Sequence, residues 1–239
     1  MEKQVIIDKE FWDLFPDGQI NILTLNKIDN TVDEKDDPYF AGLLKDASKE
    51  SHEFLQNDTF RLNPVVDEWR EALRKFKTKK GARSSIEALL KRVDQGKEFS
   101  PINPLVDIYN SISLEFAVPC GGEDLEKMDG DLHLGMAKGG ESFKPLGADE
   151  DSPALEGEII YYDNTGAICR CLNWREAQRT MLTEDTKNAV MVIESINATQ
   201  AKRADEAIKK LKELTDGYFK IDGKIQKLSA ESPSATVEY

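Results

Sequence analysis

The stretch NPLVDIYNSISLEF, residues 103–116, decides the fold, because it predicts a helix that is apolar around most of its circumference and therefore buried. Asn103 is a suitable N-cap and Pro104 suits the first turn. Asn103, Asp107 and Asn110 occur at i, i+4 and i+7, which places them in one polar stripe. Two interpretations remain open: Asn103 caps the helix while Asp107 anchors a neighbouring loop, or the stripe borders a polar pocket.

The segment VPCGGEDLEKM, residues 118–128, follows this helix directly. Its Gly121-Gly122 pair permits a tight turn or the close approach of a ligand to backbone N–H groups. Cys120 is a candidate nucleophile, but the sequence places neither of the two histidines as its partner. We therefore take Asn110, Gly121 and Gly122 as the candidate catalytic groups.

A second unusual run is CLNWREAQRTMLTEDTKN, residues 171–188, which mixes an aromatic ring, two arginines, amides and several hydroxyls. Stacking beside a cation suits a base, a carboxylate or a phosphate, although an arginine–tryptophan packing contact on a structural loop explains it equally well. Next comes AVMVIES, a buried strand with Glu194 near its end, where a carboxylate needs Arg175, Arg179 or a ligand as partner. The expected substrate pocket is Asn103, Tyr109, Asn110, Asn173, Trp174, Arg175, Gln178 and Glu194.

The charge of the chain is acidic and unevenly spread. Its 239 residues carry 32 Lys and Arg against 45 Asp and Glu, a net charge of −13, which argues against non-specific coating of nucleic acid. One basic run stands out within residues 70–92, which we expect to form helices. It either solvates those helices or binds an anion such as an RNA backbone. The candidate RNA-binding residues are Arg74, Lys75, Lys77, Lys79, Lys80 and Arg83.

The order of predicted elements indicates an α+β fold with a helical N-terminal region followed by an antiparallel β-rich half. Strands are predicted at 4–7 and 19–28, and later at LHLGMA, ESFKPLG, EIIYYD, AICRCL and AVMVIES, with a hairpin at Asn164-Thr165-Gly166. Helices are predicted at 38–56, 64–76, from the Ser84 capping box onward, and from a Thr199 cap to Leu214. We expect one domain over 1–228 and a flexible tail over 229–239.

Several classes of protein are not supported by the sequence. It has no G-x-x-x-x-G-K-[ST], G-x-G-x-x-G, H-E-x-x-H or G-x-S-x-G motif. No apolar run approaches the roughly 18–20 residues of a membrane span, and no secretion signal is recognised. Cys169-x-Cys171 lacks the further ligands of a metal site, so we expect no metal and no cofactor. Three sparse cysteines fit a reducing cytoplasm.

The segments NPLVDIYNSISLEFAVPCGGEDLEKM, GGESFKPLG, EIIYYDNTGAICRCLNWREAQRTMLTEDTKN and VIES together resemble the tRNA-editing (B-three/B-four) domain of the phenylalanyl-tRNA synthetase β subunit. They are closer still to freestanding bacterial proteins that carry this domain. The resemblance covers about residues 64–196. It implies a β-sandwich flanked by helices and the hydrolysis of mischarged tRNA. The positions that match the family pattern are Asn103, Asp107, Asn110, Glu115, Pro119 and Asp124.

The sequence also departs from the family pattern around the implied pocket. Tyr109 stands where the family has threonine, Gly121 where it has histidine, and residues 172–177 replace a glycine-rich loop. The family glutamate that recognises the substrate hydroxyl matches Glu194 after a two-residue shift. The resemblance implies a trans-acting aminoacyl-tRNA deacylase without ligase activity and with tRNA as partner. The alternatives are a non-catalytic tRNA-binding module and a protein that binds an amino-acid-like small molecule.

Overall fold

The computed structural model describes residues 1–239 and contains two β-sheets and six α-helices. The strands are β1 Glu2–Ile7, β2 Gln19–Asn26, β3 Cys120–Asp124, β4 Leu132–Met136, β5 Ile159–Tyr162, β6 Ala167–Arg170, β7 Arg175–Glu176, β8 Asn188–Ser195, β9 Lys224–Leu228 and β10 Ser234–Glu238. The helices are α1 Lys9–Leu14, α2 Asp37–Glu50, α3 Pro64–Arg74, α4 Ser85–Asp94, α5 Pro104–Phe116 and α6 Ala198–Phe219. The α+β class is confirmed.

The two sheets have the strand orders β10-β1-β4-β5-β6-β7 and β3-β8-β2-β9. Neighbouring strands are antiparallel except for β1 and β4, which pair in parallel with Val5 opposite Leu132. The predicted antiparallel sandwich is therefore correct apart from this one pair. In the four-stranded sheet β3 is an edge strand, since only β8 pairs with it along its length.

Alternation along β2 and β8 explains why the four-stranded sheet is covered on both faces. Ile20 and Ile22 pack into the core between the sheets, whereas Leu23 and Leu25 pack against α5 and α6. Successive side chains of a strand point to opposite faces. One strand therefore contributes side chains both to the core between the sheets and to the core beneath α5 and α6. The molecule thus has three layers: the six-stranded sheet, the four-stranded sheet, and α5 with α6. Helices α3 and α4 cover part of the inner core through residues such as Trp69.

Most predicted helices and turns occur with small shifts at their ends. The Ser84 hydroxyl accepts a hydrogen bond from the Glu87 N–H at 3.2 Å, as the capping box predicts. The hairpin around Thr165 joins β5 to β6. Helix α6 begins one residue before Thr199, because the Asn197 side chain caps it by accepting from the Gln200 N–H. The ESFKPLG segment is not a strand and makes only an isolated bridge at Pro145.

The C-terminal segment differs from the predicted flexible tail. Residues 234–238 form strand β10, which pairs antiparallel with β1 in the register Lys3 opposite Val237. Val237 is completely buried in the core between the sheets. The backbone pairing and this apolar side chain together explain why the segment is held against the sheet rather than left free in solvent.

The basic run spans two helices and the segment between them, in agreement with the helices predicted at 64–76 and from Ser84 onward. Helix α3 ends at Arg74 and α4 begins at Ser85, so residues 75–84 form a loop between them. We call residues 75–84 the basic loop. No helix in the chain combines the length and the apolar character needed to cross a membrane.

Candidate functional site

A cavity of about 480 Å³ opens where α4, α5, the edge strand β3 and the turn after β6 meet. Its volume falls in the range of small-molecule sites, roughly 300–1,000 Å³. Its wall combines aromatic rings, carboxyl groups and backbone. The lining residues include Ser85, Arg92, Tyr109, Asn110, Cys120, Gly121, Gly122, Glu123, Tyr161, Cys169, Asn173, Trp174, Arg175, Glu176 and Glu194. Most of the residues expected in the substrate pocket are therefore brought together.

The residues of the polar stripe on α5 have two different roles: two of them bind backbone at the start of the helix, and the third lines the cavity. Asn103 accepts from the Val106 N–H at 3.1 Å and does not line the cavity, so its assignment to the pocket is wrong. Asp107 accepts from the Ile102 N–H through both carboxylate oxygens, at 2.9 and 3.0 Å. The capping and anchoring interpretation is thus correct for these two residues. Only Asn110, further along the helix, reaches the cavity together with Tyr109.

The turn after β6 holds Asn173 in position. Cys171 and Leu172 both adopt left-handed backbone conformations, with φ of 49° and 62°. Such values are unusual for residues with a side chain and persist only where surrounding contacts require them. The Leu172 N–H donates to the Ile159 carbonyl at 2.7 Å, and Asn173 Oδ1 accepts from the Ser85 N–H at 2.7 Å. The turn is therefore tied to β5 on one side and to the start of α4 on the other.

Glu194 has an amide as its partner, not an arginine. Asn173 Nδ2 donates to Glu194 Oε2, whereas Arg175 lies over the Trp174 ring with 5.1 Å from its guanidinium carbon to the ring centre. Arg179 binds both carboxylate oxygens of Asp163, at 2.6 and 2.7 Å, away from the cavity. The predicted Arg175 or Arg179 partner for Glu194 is therefore wrong.

Gln178 also lies outside the cavity, contrary to its prediction. Its Nε2 donates to the backbone carbonyls of Pro145 and Ala148, at 2.7 and 2.8 Å. The side chain thereby holds the loop that follows the ESFKPLG segment. Its role is to position a loop, and the amide has no donor left for a ligand in the cavity.

Two carboxyl groups of the cavity were missed from the sequence, Glu123 and Glu176. Glu123 lies opposite Val190, which packs between the sheets, so Glu123 also points between the sheets. Burial, followed by the charge of Glu176, raises the pKa of Glu123 well above its ordinary value. Burial likewise raises the pKa of Glu176 to about 7. No local motif marks either residue, because their approach depends on how β3 and β7 are arranged around β8 and β6.

Glu194 shares this environment. It is 3% exposed, and burial raises its pKa to about 7, although the nearby Tyr161 hydroxyl and the Asn173 amide partly oppose the rise. Its Oε1 atom has no hydrogen bond of ordinary geometry, and neither has the Tyr161 hydroxyl. Buried polar atoms without partners are rare in folded proteins. The cavity therefore presents unpaired polar groups to any molecule that enters it.

The two candidate glycines play different parts on β3. The Pro119 carbonyl accepts from the Glu194 N–H, so Gly121, two residues on, directs its backbone groups toward β8. Asp124 instead directs its N–H outward, to the Thr180 carbonyl at 2.9 Å. Gly122, two residues before Asp124, shares that outward direction and lines the cavity, next to the bridge between Glu123 and Met181 on the same edge. A Cβ atom on Gly121 would meet no atom within 4 Å, so that position faces open space.

The cysteines do not form a nucleophilic site. Burial raises the pKa of the Cys120 thiol and of the Cys169 thiol, which disfavours the reactive thiolate. His133 is bound through Nδ1 to Asp8 at 3.0 Å and does not line the cavity, and neither does His52. No group of three or more His, Cys, Asp or Glu side chains is placed to hold a metal ion.

The basic loop leads directly into the wall of the cavity, since Ser85 follows it and Ser85 and Arg92 both line the cavity. Arg74, just before the loop, pairs with Glu71, and Lys75 lies over the Phe15 ring at 5.0 Å. Lys79 donates to the Ser152 hydroxyl at 2.6 Å. The three remaining cations form no ion pair and are exposed to solvent. They are Lys77, Lys80 and Arg83.

The sequence of the chain matches a known family of domains. Residues 68–220 match the model of the B3/4 domain family. The chain belongs to this family.

The chain is also similar to parts of two known proteins. The phenylalanine–tRNA ligase beta subunit of Fusobacterium nucleatum is 32% identical to this chain over 89 residues, which are 37% of this chain and 11% of that subunit. A solved N-terminal fragment of the phenylalanyl-tRNA synthetase beta subunit from Pyrococcus horikoshii covers 92% of this chain, with a TM-score of 0.46 and 14% identity. The chain spans 49% of that fragment, so it corresponds to only part of either relative.

Proposed function

We propose that this protein is a trans-acting aminoacyl-tRNA deacylase, which hydrolyses the ester bond of mischarged tRNA. The observation that carries the proposal is the convergence of Asn110, Asn173, Trp174, Arg175 and Glu194 on one cavity. Membership of the B3/4 family and a relative that is a subunit of a tRNA ligase support tRNA as the partner. The size of the cavity suits an aminoacyl group.

The chemistry needs no strong protein nucleophile, because an aminoacyl ester is already activated. The site must hold the terminal ribose, place a water molecule and stabilise the developing oxyanion. The outward N–H of Gly122 is the donor we assign to the oxyanion. Glu194, with its pKa near 7, can take up a proton near neutral pH, and a ribose hydroxyl can assist the transfer.

The tRNA itself is expected to lie along the basic loop. Lys77, Lys80 and Arg83 are free of internal ion pairs and can contact phosphate groups. Arg175 is exposed at the mouth of the cavity, stacked on Trp174, where a guanidinium suits a phosphate or a terminal base. The polynucleotide then approaches over cations while the aminoacyl group enters the cavity.

A panel of tRNAs carrying amino acids of different side-chain classes tests the proposal. We expect release of at least one amino acid well above the buffer rate. Replacement of Glu194 by Gln should lower turnover by about 10²-fold, in the range for a lost proton-transfer group, with the affinity for uncharged tRNA unchanged. The matched control is Glu150→Gln, in an exposed loop, which should leave turnover unchanged. Absence of deacylation for every tRNA in the panel would contradict the proposal.

A non-catalytic tRNA-binding module is the second candidate. One observation favours it: the cavity has no histidine and no reactive thiol, and Gly121 leaves open space where a side chain could act. This candidate predicts salt-sensitive tRNA binding without ester cleavage. The same panel therefore separates the two functions, provided that binding is measured beside hydrolysis.

A further inference from the structure

We call the part of the cavity wall that Glu123, Glu176 and Glu194 form its floor. This floor is acidic and contains no lysine or arginine. Glu123, Glu176 and Glu194 line it, and none of the three forms an ion pair. Glu123 Oε2 and Glu194 Oε1 are buried without a hydrogen bond, and these residues are only 8% and 3% exposed. A buried polar group without a partner costs free energy that a ligand could recover on binding.

The aromatic rings of the same wall also point to a ligand. Tyr161, which is 6% exposed, lines the cavity with its hydroxyl beside Glu194, although the two form no hydrogen bond of ordinary geometry. Tyr109 and Trp174 add two more aromatic rings to the wall. Aromatic faces attract cations electrostatically, and the attraction grows when water is excluded. Carboxyl oxygens and aromatic rings around one space form an environment suited to an organic cation.

On the basis of the proposed function, we propose that the floor of this cavity binds an alkylammonium group of the aminoacyl substrate, through Glu123, Glu176 and Glu194 with the surrounding rings. Two parts of a substrate carry such a group: the α-amino group of every aminoacyl ester and the side-chain amine of a basic amino acid. The exposed guanidinium of Arg175 stays at the mouth of the cavity, where it meets the ribose and phosphates rather than the amine.

Binding of a cation should release protons. In the empty cavity these carboxyl groups are partly protonated at neutral pH, because burial raises the pKa of Glu176 and of Glu194 to about 7, and burial with the charge of Glu176 raises the pKa of Glu123. An ammonium group among them favours the charged form, so ionisation accompanies binding. The titratable and charged groups around them are Cys120 on β3, Arg92 on α4, Tyr109 on α5, Tyr161 on β5, Cys169 on β6, Arg175 on β7, and Arg179 with its partner Asp163 nearby.

Titration calorimetry of the whole chain at pH 7 tests this inference, in two buffers that differ in their heat of ionisation. The probes are lysinamide, norleucinamide and N-acetylnorleucinamide, which carry a side-chain ammonium with an α-ammonium, an α-ammonium alone, and no ammonium. We expect a charged probe to bind at least tenfold more tightly than its uncharged counterpart. We also expect roughly 0.5 to 1 proton released per bound probe, as the linkage of binding to the carboxyl ionisation requires.

The comparison of probes identifies the source of the amine. A preference for lysinamide over norleucinamide assigns the floor to a basic side chain. Equal binding of those two, with loss of binding for N-acetylnorleucinamide, assigns it to the α-amino group. Equal binding of all three without proton release would overturn the inference. An absence of detectable binding by every probe would overturn it as well.

Variants separate the carboxyl floor from a general effect of charge. Glu194→Gln and Glu176→Gln should each weaken the preferred charged probe by about tenfold and reduce proton release. Glu150→Gln should change neither quantity. Unaltered affinity in both floor variants would also contradict the inference. Failure of the deacylation panel with tight, proton-releasing binding of an amine would remove the proposed hydrolase while leaving the cation site in place, and the reverse pattern would remove only the cation site.

Discussion

Two sets of buried carboxyl groups in the same sandwich differ in their partners: one set is paired with arginine and the other is not. Glu158 and Asp163 lie at the two ends of β5, and each is bound by an arginine, Arg170 and Arg179 respectively. Arg170 Nε donates to Glu158 Oε2 at 2.8 Å, and both side chains are almost completely buried. Around the cavity, Glu123 and Glu194 are also buried, and neither forms an ion pair with an arginine or a lysine. Arginine pairs the first set, whereas burial raises the pKa values of the second set and so favours the uncharged, protonated form.

A shortage of arginine does not explain the difference. Arg175 lines the cavity and is exposed, yet it stacks on Trp174 instead of turning toward Glu194. An isolated buried charge is strongly unfavourable, so the usual arrangement is the one at Glu158. Groups with strongly perturbed pKa values and unmet hydrogen bonds concentrate at functional sites. The contrast with β5 therefore supports the proposed site independently of any relative.

The largest expected effect comes from breaking the paired set. Arg170→Met should lower the free energy of unfolding by about 3–5 kcal/mol, because it leaves Glu158 buried without a partner. Urea unfolding at pH 7 measures it. The matched control is Arg74→Met, whose ion pair with Glu71 is exposed and should contribute less than about 1 kcal/mol. A loss below about 1 kcal/mol for Arg170→Met would show that pairing is not what permits buried carboxylates here.

The sequence predicts one set of these residues much better than the other. Trp174, Arg175 and Asn173 are consecutive, so an unusual local composition reveals them, and Glu194 is conspicuous because it ends an apolar strand. Glu123 and Tyr161 carry no such signal. They come to the cavity only through the register of β3 with β8 and the placement of one sheet over the other.

The same limit explains the corrections elsewhere. Asn103 and Asn110 lie on one helical stripe, but the position of Val106 and of the loop before α5 makes one a cap and leaves the other for the cavity. The C-terminal segment has little to bury by itself, and only the presence of β1 beside it makes a strand favourable. Periodicity predicts elements well, whereas long-range pairing decides which of their side chains meet.

An intermediate effect on the free energy of unfolding is expected from Glu194, which has no ion pair, and this effect depends on pH. The pKa of Glu194 is raised by burial from its ordinary value near 4.5 to about 7 in the folded chain. The folded state therefore holds this proton more tightly than the unfolded state, and stability is lost as pH rises from about 4.5 through 7. Between pH 5 and pH 8 the wild type should lose about 1–3 kcal/mol more than Glu194→Gln, measured by urea unfolding.

Asp163 supplies the matched control for this pH effect. Burial alone would raise the pKa of Asp163, but hydrogen bonds from Arg179 and from the Asp129 N–H bring it below its ordinary value. Its contribution to stability is present above about pH 4 and is lost only in acid. The difference in stability between the wild type and Asp163→Asn should therefore stay constant from pH 5 to pH 8. A wild type whose stability runs parallel to that of Glu194→Gln over this range would contradict the raised pKa.

The smallest effect on stability is expected where charges are neither buried nor paired, in the basic loop. Replacement of Lys77, Lys80 and Arg83 by Gln should change the free energy of unfolding by less than about 0.5 kcal/mol. The same triple variant should bind uncharged tRNA more weakly, and the slope of log affinity against log salt should fall by about one for each phosphate that the loop no longer neutralises. The control removes three exposed lysines that have acidic partners, namely Lys9, Lys35 and Lys209. If both triple variants weaken tRNA binding equally, the overall net charge of −13 determines the affinity for tRNA. That result would contradict the proposal that Lys77, Lys80 and Arg83 contact the phosphates.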